Sequence, residues 1–214
     1  MYVPKHFKED DTETLHRYIR DYSFGLFVIA DDDGIEANHV PFHFQVDSDN
    51  SLGTLQCHLA RTNPAWQRIE KSGSVLAIFQ GPDAYVSPSW YATKAETGRV
   101  VPTWNYLAVH ARGAARVVQD PSWLKEHLHN LTDRHERDRA QPWSVDDAPE
   151  EYTERLMQGI VGIEIRIEEL SGKLKASQNQ PEANRAGVKA GLKAEGVTHA
   201  AAIADLISEP DTKG

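Results

Sequence analysis

The chain holds a single cysteine in 214 residues, Cys57. One thiol excludes an intrachain disulfide and any zinc site built on several cysteines. A buried, inert thiol is its expected state. No apolar run is long enough for a helix to cross a bilayer, so no membrane partner is expected. The start, Met1-Tyr2-Val3-Pro4-Lys5-His6-Phe7-Lys8-Glu9-Asp10, lacks the apolar core of a signal peptide. The expected address is the cytoplasm. No G-x-G-x-x-G follows a strand-like stretch, which argues against a Rossmann site. There is no G-x-S-x-G, and Cys57 falls mid-strand, so a nucleophilic triad finds no support. Basic residues are the minority, 23 Lys and Arg against 32 Asp and Glu, for a net charge of −9. Bulk charge of that sign does not hold a protein on nucleic acid.

What is present is a dense aromatic stretch. Tyr85, Trp90, Tyr91, Trp104 and Tyr106 fall in one window, broken by Pro88 and Pro102 and preceded by Pro82. Prolines so placed argue against one continuous helix or central strand. Flat side chains among Ser, Thr and Asn suit a planar ligand or a subunit contact; filler in a barrel core is the equal alternative. Charge singles out the same region. Residues 51–113 carry six basic and three acidic side chains, whereas residues 1–50 carry four and eleven. The one net-cationic part of the chain suits a small anion.

Along the chain, Asp10 or Asp11 can cap a helix with Leu15, Tyr18, Ile19 and Tyr22 on one stripe. Ser23–Ala30 reads as a strand, and Asp31-Asp32-Asp33-Gly34 as a hairpin turn. The return strand alternates, with Val40, Phe42, Phe44 and Val46 on one face. A third strand carries Leu55, Cys57 and Leu59. Asn63 and Pro64 open a short helix that Gly73 ends. Further strands are expected at 74–81, 84–87, 103–118 and 160–170, and helices after Asp120-Pro121, after Pro149, and over 182–207 with a break near Gly196. Residues 171–181 read as a polar loop. The pattern predicts a mainly β fold with α additions: an antiparallel barrel with peripheral helices. Residues 1–181 form the expected barrel domain, and 182–214 a C-terminal helical extension packed on it.

Ten histidines raise the question of a metal. His39 and His43 lie four apart on a strand, so their side chains start about 13 Å apart, too far to share one ion. His127 and His129, two apart on a helix, point different ways. No metal is expected. The run His58-Leu59-Ala60-Arg61-Thr62-Asn63-Pro64 offers a guanidinium, a hydroxyl and an amide where a helix presents free N–H groups. That geometry suits a phosphate; an ordinary strand-to-helix turn with a solvated Arg is the plainer reading. Lys173, Lys175, Gln178 and Asn179 supply two cations and two amides, or simply a solvated loop. Trp104 and Tyr106 could stack on a ring or fill the core. Arg185, Lys189 and Lys193 form a basic stripe at i, i+4 and i+8. A solvated face explains it more simply than a helix-turn-helix does.

Taken together, these motifs resemble the PaiB-type FMN-binding negative transcriptional regulator family. The resemblance runs through Met1-Tyr2-Val3-Pro4, His58-Leu59-Ala60-Arg61, Asn63-Pro64, Ala84-Tyr85-Val86-Ser87-Pro88-Ser89-Trp90-Tyr91, Val101-Pro102-Thr103-Trp104-Asn105-Tyr106 and Gly172-Lys173-Leu174-Lys175 with Ser177-Gln178-Asn179. It covers about residues 1–207. It implies a split β-barrel related to pyridoxamine 5′-phosphate oxidase, a homodimer, and FMN held between subunits. It implies Arg61 and Thr62 at the phosphate, and Trp104, Tyr106, Lys175 and Gln178 at the ring or on the partner's wall; His58, Asn63, Lys173 and Asn179 complete the expected cofactor-binding set. One departure stands out: the family pattern carries Arg where this chain has Gln180, which implies an altered grip if that position touches the flavin. The implied function is transcriptional repression with DNA as a partner, against which the net charge counts. The alternative is a flavin-dependent oxidoreductase or flavin reductase acting on a small molecule. A haem-binding split barrel, with His110 or another histidine as axial ligand, comes third. No catalytic residue is named by the sequence.

Overall fold

The computed structural model describes residues 1–207; residues 208–214 of the expected C-terminal extension lie outside that range. A 3₁₀ turn at Lys5–Phe7 leads into strand β1 (Lys8–Glu9). Asp11 Oδ2 accepts the Thr14 N–H at 2.9 Å and so caps helix α1 (Thr12–Asp21). Leu15, Tyr18 and Ile19 are its buried stripe. Strands β2 (Phe24–Asp31) and β3 (Gly34–Pro41) form the expected hairpin in antiparallel register from Phe24↔Pro41 to Asp31↔Gly34. Gly34 takes φ 104°, a conformation that only glycine adopts freely.

The single return strand expected across residues 39–46 is instead two. β3 stops at Pro41, the Phe42 N–H turns to the Ser23 carbonyl at 2.9 Å, and β4 (His43–Asp47) starts afresh. A register shift between Gln45 and Asp47 then leaves Val46 exposed while Val40, Phe42 and Phe44 stay buried. β4 pairs with β5 (Asn50–Ala60). Helix α2 (Ala65–Ser72) ends on Gly73 at φ 64°. Strand β6 (Ser74–Val86) merges the two strands expected at 74–81 and 84–87. Pro82 does not break it, because β2 pairs with β6 only over Leu76–Ile78 and leaves no β2 ladder bond to lose at Pro82. A 3₁₀ turn at Pro88–Trp90 and helix α3 (Lys94–Thr97) follow.

Strand β7 (Thr103–Val118) has its expected bounds. Asp120 caps helix α4 (Pro121–Glu136) through the Trp123 N–H at 2.8 Å. Helix α5 (Glu150–Met157) starts after Pro149. Strand β8 (Ile160–Lys175) runs five residues into the expected loop, because β1 pairs with it at Lys8↔Lys173 and Glu9↔Gly172. Helices α6 (Glu182–Ala194) and α7 (Thr198–Asp205) are divided at Gly196, φ 67°. The strand order is β3-β2-β6-β7-β8-β5-β4, with β1 on β8. β3 and β4 end the path, and the sheet is not closed.

The chain forms two compact units. Among the described residues, the first comprises Met1–Leu15, Gln80–Val109 and residues 171–207; the second comprises His16–Phe79 and His110–Leu170. The first has a core of Ala84, Val86, Tyr91, Val188, Leu192 and Ile203, with Trp90 packed on it. In the second, Phe42 meets Phe79 edge to face at 5.3 Å, and the alternating Ile163, Ile165 and Ile167 of β8 are buried. Cys57 is among them, fully buried, its thiol pushed far up in pKa by burial.

Candidate functional site

In the second unit, β5 ends at Ala60 and the chain turns into α2. This corner carries the first set of predicted site residues. Arg61 is half-buried and held on three sides. Its Nε donates to the Gln158 carbonyl at 2.8 Å, Nη1 to Gln119 Oε1 at 2.8 Å, and Nη2 to the Ile160 carbonyl at 3.0 Å. All three acceptors are neutral, and among the described residues no carboxylate pairs with it. Each terminal nitrogen keeps a second N–H. Arg61 lines a cavity of about 340 Å³ with Gln119, Gln158, Leu124, Met157 and Glu154. Thr62 is exposed. Asn63 spends its side chain locally, Oδ1 accepting the Ala65 N–H at 2.9 Å and Nδ2 donating to Asn38. It thus stiffens the entry to α2, where Pro64 occupies the N-cap position.

His58 belongs to a different set of contacts. Its Nδ1 lies 3.0 Å from His127 Nε2 on α4. His127 is 1% exposed, stacks on Trp123, and is driven down to about pKa 3 by burial and by His58 and His43 nearby. Burial also lowers His58. The buried residues of α4 are Leu124, His127 and Leu131, so His127 lies on the same face as the leucines. His110, on β7, is half-buried and lowered by burial.

In the first unit, β7, the end of β8 and the turn after it carry the second set. Trp104 is 53% exposed and meets Tyr85 edge to face at 6.1 Å. Lys173 Nζ sits 5.2 Å from the Tyr106 ring centroid and 5.8 Å from that of Tyr2. Gln178 folds back: its Oε1 accepts the Ala176 N–H at 2.7 Å and its Nε2 donates to the Leu174 carbonyl at 2.6 Å. Its amide shapes the turn.

Lys175 and Asn179 do come together. They line a cavity of about 370 Å³ with Arg99, Asn105, Ser177 and Asn184, and with Phe7, Tyr91, Val100 and Val101 as apolar wall. Gln180, the departure from the family pattern, lines it too and accepts from Asn184 Nδ2 at 3.1 Å. Lys175 donates to Thr103 Oγ1. Burial lowers its pKa, and Lys173 adds to that while Tyr106 opposes it. Asn105 and Asn184 are buried polar residues that the reading from sequence missed. Asn105 was legible: strand alternation puts it on the face opposite Trp104 and Tyr106. Arg61, Thr62, Asn63 and His58 belong to the second unit, and the Lys175 cavity is lined by residues of the first.

Comparison with known proteins places the chain. Residues 1–169 match the family described as "Putative FMN-binding domain". The protein named Protease synthase and sporulation protein PAI 2 of Bacillus subtilis (strain 168) is 34% identical over 209 residues, covering 98% of this chain and 97% of its own. An uncharacterized protein of Emericella nidulans is 34% identical over 243 residues, with 98% and 97% covered. Among solved structures, a conserved hypothetical protein of Mycobacterium tuberculosis superposes with TM-score 0.58 at 12% identity, covering 85% of this chain and 94% of its own. The FAD and heme binding protein of Mycobacterium smegmatis gives TM-score 0.56 at 14% identity, with 78% and 73% covered. At such identities the structural likeness speaks for the fold alone. The match across both units makes this chain a member of the PaiB-type family of FMN-binding split-barrel proteins.

Proposed function

We propose that the protein binds FMN between two copies of the chain and acts as a flavin-carrying regulator of the PaiB kind. The observation that carries the reading is Arg61. A half-buried guanidinium on a cavity, with no ion pair to a carboxylate among the described residues and an N–H left on each terminal nitrogen, suits a phosphate. The exposed Thr62 hydroxyl adds a donor, while Asn63 and Gln119 hold the corner in shape. Trp104, largely exposed, and Tyr106 with Lys173 beside it supply flat surface and charge for the ring, contributed by the partner copy. Bound flavin supplies one- and two-electron transfer, which the side chains themselves lack. These residues bind, orient and screen the cofactor from water.

Direct DNA reading has weak support in the basic stripe. Lys193 is paired with Asp205 at 2.9 Å, and Arg185 Nε is buried. Regulation through a bound small molecule or a protein partner fits the −9 charge better. A flavin-dependent oxidoreductase is the second reading, favoured by the open cavity at Lys175. Two assays separate them. DNA retardation at low and physiological salt tests direct repression, and salt-independent absence of binding removes it. Anaerobic mixing of the FMN-loaded protein with NADH or NADPH tests reductase activity through loss of flavin absorbance.

A further inference from the structure

The Lys175 cavity is the most elaborated polar site in the first unit. Three of its lining side chains are almost wholly buried: Asn105 at 0%, Asn184 at 2% and Ser177 at 3% exposure. They are fixed in pairs. Asn105 Nδ2 donates to Ser177 Oγ at 3.0 Å, and Asn184 Oδ1 accepts the Thr93 N–H at 3.1 Å. Ser177 takes φ 61°, the only positive φ at a non-glycine among the described residues. Such a backbone persists where its surroundings enforce it. Above this rigid base sits the Lys175 ammonium, half-buried and with no carboxylate partner among the described residues. Arg99 and Asn179 also line the cavity, and among the described residues neither side chain makes a hydrogen bond.

A cation kept partly from water, unpaired and facing a cavity, is stabilised by an anion. Lys175 and Arg99 on the same lining give a carboxylate two cations to meet. The other wall is apolar, with Phe7, Tyr91 and Val100, and requires an organic body rather than a bare ion. We infer that this cavity is a second ligand site, for a small organic carboxylate whose charged end meets Lys175 and whose flat or apolar body rests on Phe7 and Tyr91. The site goes beyond the flavin reading, since the phosphate corner at Arg61 shares none of its lining. Its occupant is an effector or a substrate brought to a flavoprotein.

The other source of anionic oxygen is the phosphate of FMN itself, and the experiment separates the two. Benzoate, neutral benzamide and inorganic phosphate are titrated calorimetrically into the full-length protein, with and without saturating FMN. Benzoate should bind in both states, and benzamide at least about tenfold more weakly. Lys175→Met should cost benzoate about tenfold or more. Val101→Trp, at an exposed position of the rim, should block benzoate as well, with the unfolding midpoint unmoved; this keeps the test valid if Lys175→Met folds poorly. Absence of benzoate binding overturns the inference, as does binding of phosphate alone. Competitive displacement of benzoate by FMN also overturns it, because the cavity then belongs to the cofactor. Failure of FMN to bind at all sinks the flavin reading, yet leaves the apo titration to decide this one.

Discussion

His58 on β5 and His127 on α4 face each other ring nitrogen to ring nitrogen at 3.0 Å, with His127 sealed from solvent. Both are neutral, because burial depresses both. His127 Nδ1 has no partner among the described residues. A bare lone pair is cheaper to bury unpaired than an N–H, so His127 donates from Nε2 to His58 Nδ1. Trp123 stacks on His127 at 5.3 Å and donates its indole N–H to Glu164. α4 is thus tied to the sheet by a small polar cluster as well as by leucines.

That cluster predicts acid sensitivity. His127 titrates near 3 when folded and near its ordinary value of about 6.5 when unfolded. Between those values the unfolded chain binds more protons, so stability rises with pH there and falls on acidification. Denaturant unfolding should show a loss on the order of 2–3 kcal/mol between pH 7 and pH 4 attributable to this residue. In His127→Leu that part of the slope should vanish. An unchanged slope would mean that His127 is not held neutral.

α6 approaches Trp90 where two glycines leave room. A Cβ at Gly187 would lie 2.1 Å from the Trp90 carbonyl oxygen, and one at Gly191 2.4 Å from its indole. Alanine favours a helix over glycine by about 1 kcal/mol, yet Gly187→Ala should destabilise the protein by roughly 1–3 kcal/mol through the clash. Thermal melting decides the sign.

Ser177 gives a test of backbone strain against hydrogen bonding. Ser177→Ala keeps φ 61° and loses the bond from Asn105; Ser177→Gly loses the same bond and relieves the backbone. The glycine variant should be the more stable of the two by about 1 kcal/mol. Equal stabilities would show that the positive φ costs nothing here.

Much of the architecture was legible in the residues. Asp120-Pro121 set the start of α4, Asp31 to Gly34 set the hairpin, and the Ile163-Ile165-Ile167 alternation set β8. The misses came from pairing, which local pattern does not encode. Pro82 sits in a strand because its β2 neighbour has already ended, and Ser171–Lys175 is strand because β1 lies beside it. At the candidate site, the aromatic and cationic motifs marked segments of chain that contribute to the lining of two cavities. They did not tell which side chains turn toward a cavity. Gln178 looked like a ligand amide and is spent on its own turn, whereas Asn105 and Asn184, plain in composition, are buried in the lining.

In the proposed complex Arg61 grips the FMN phosphate. Fluorescence titration of wild type and Arg61→Ala with FMN and with riboflavin, which lacks the phosphate, tests it most directly. Charge-assisted hydrogen bonds of this kind contribute about 1.5–3 kcal/mol, so FMN affinity should fall at least about tenfold in the variant while riboflavin affinity stays level. Equal loss for both flavins, or none for either, would contradict it.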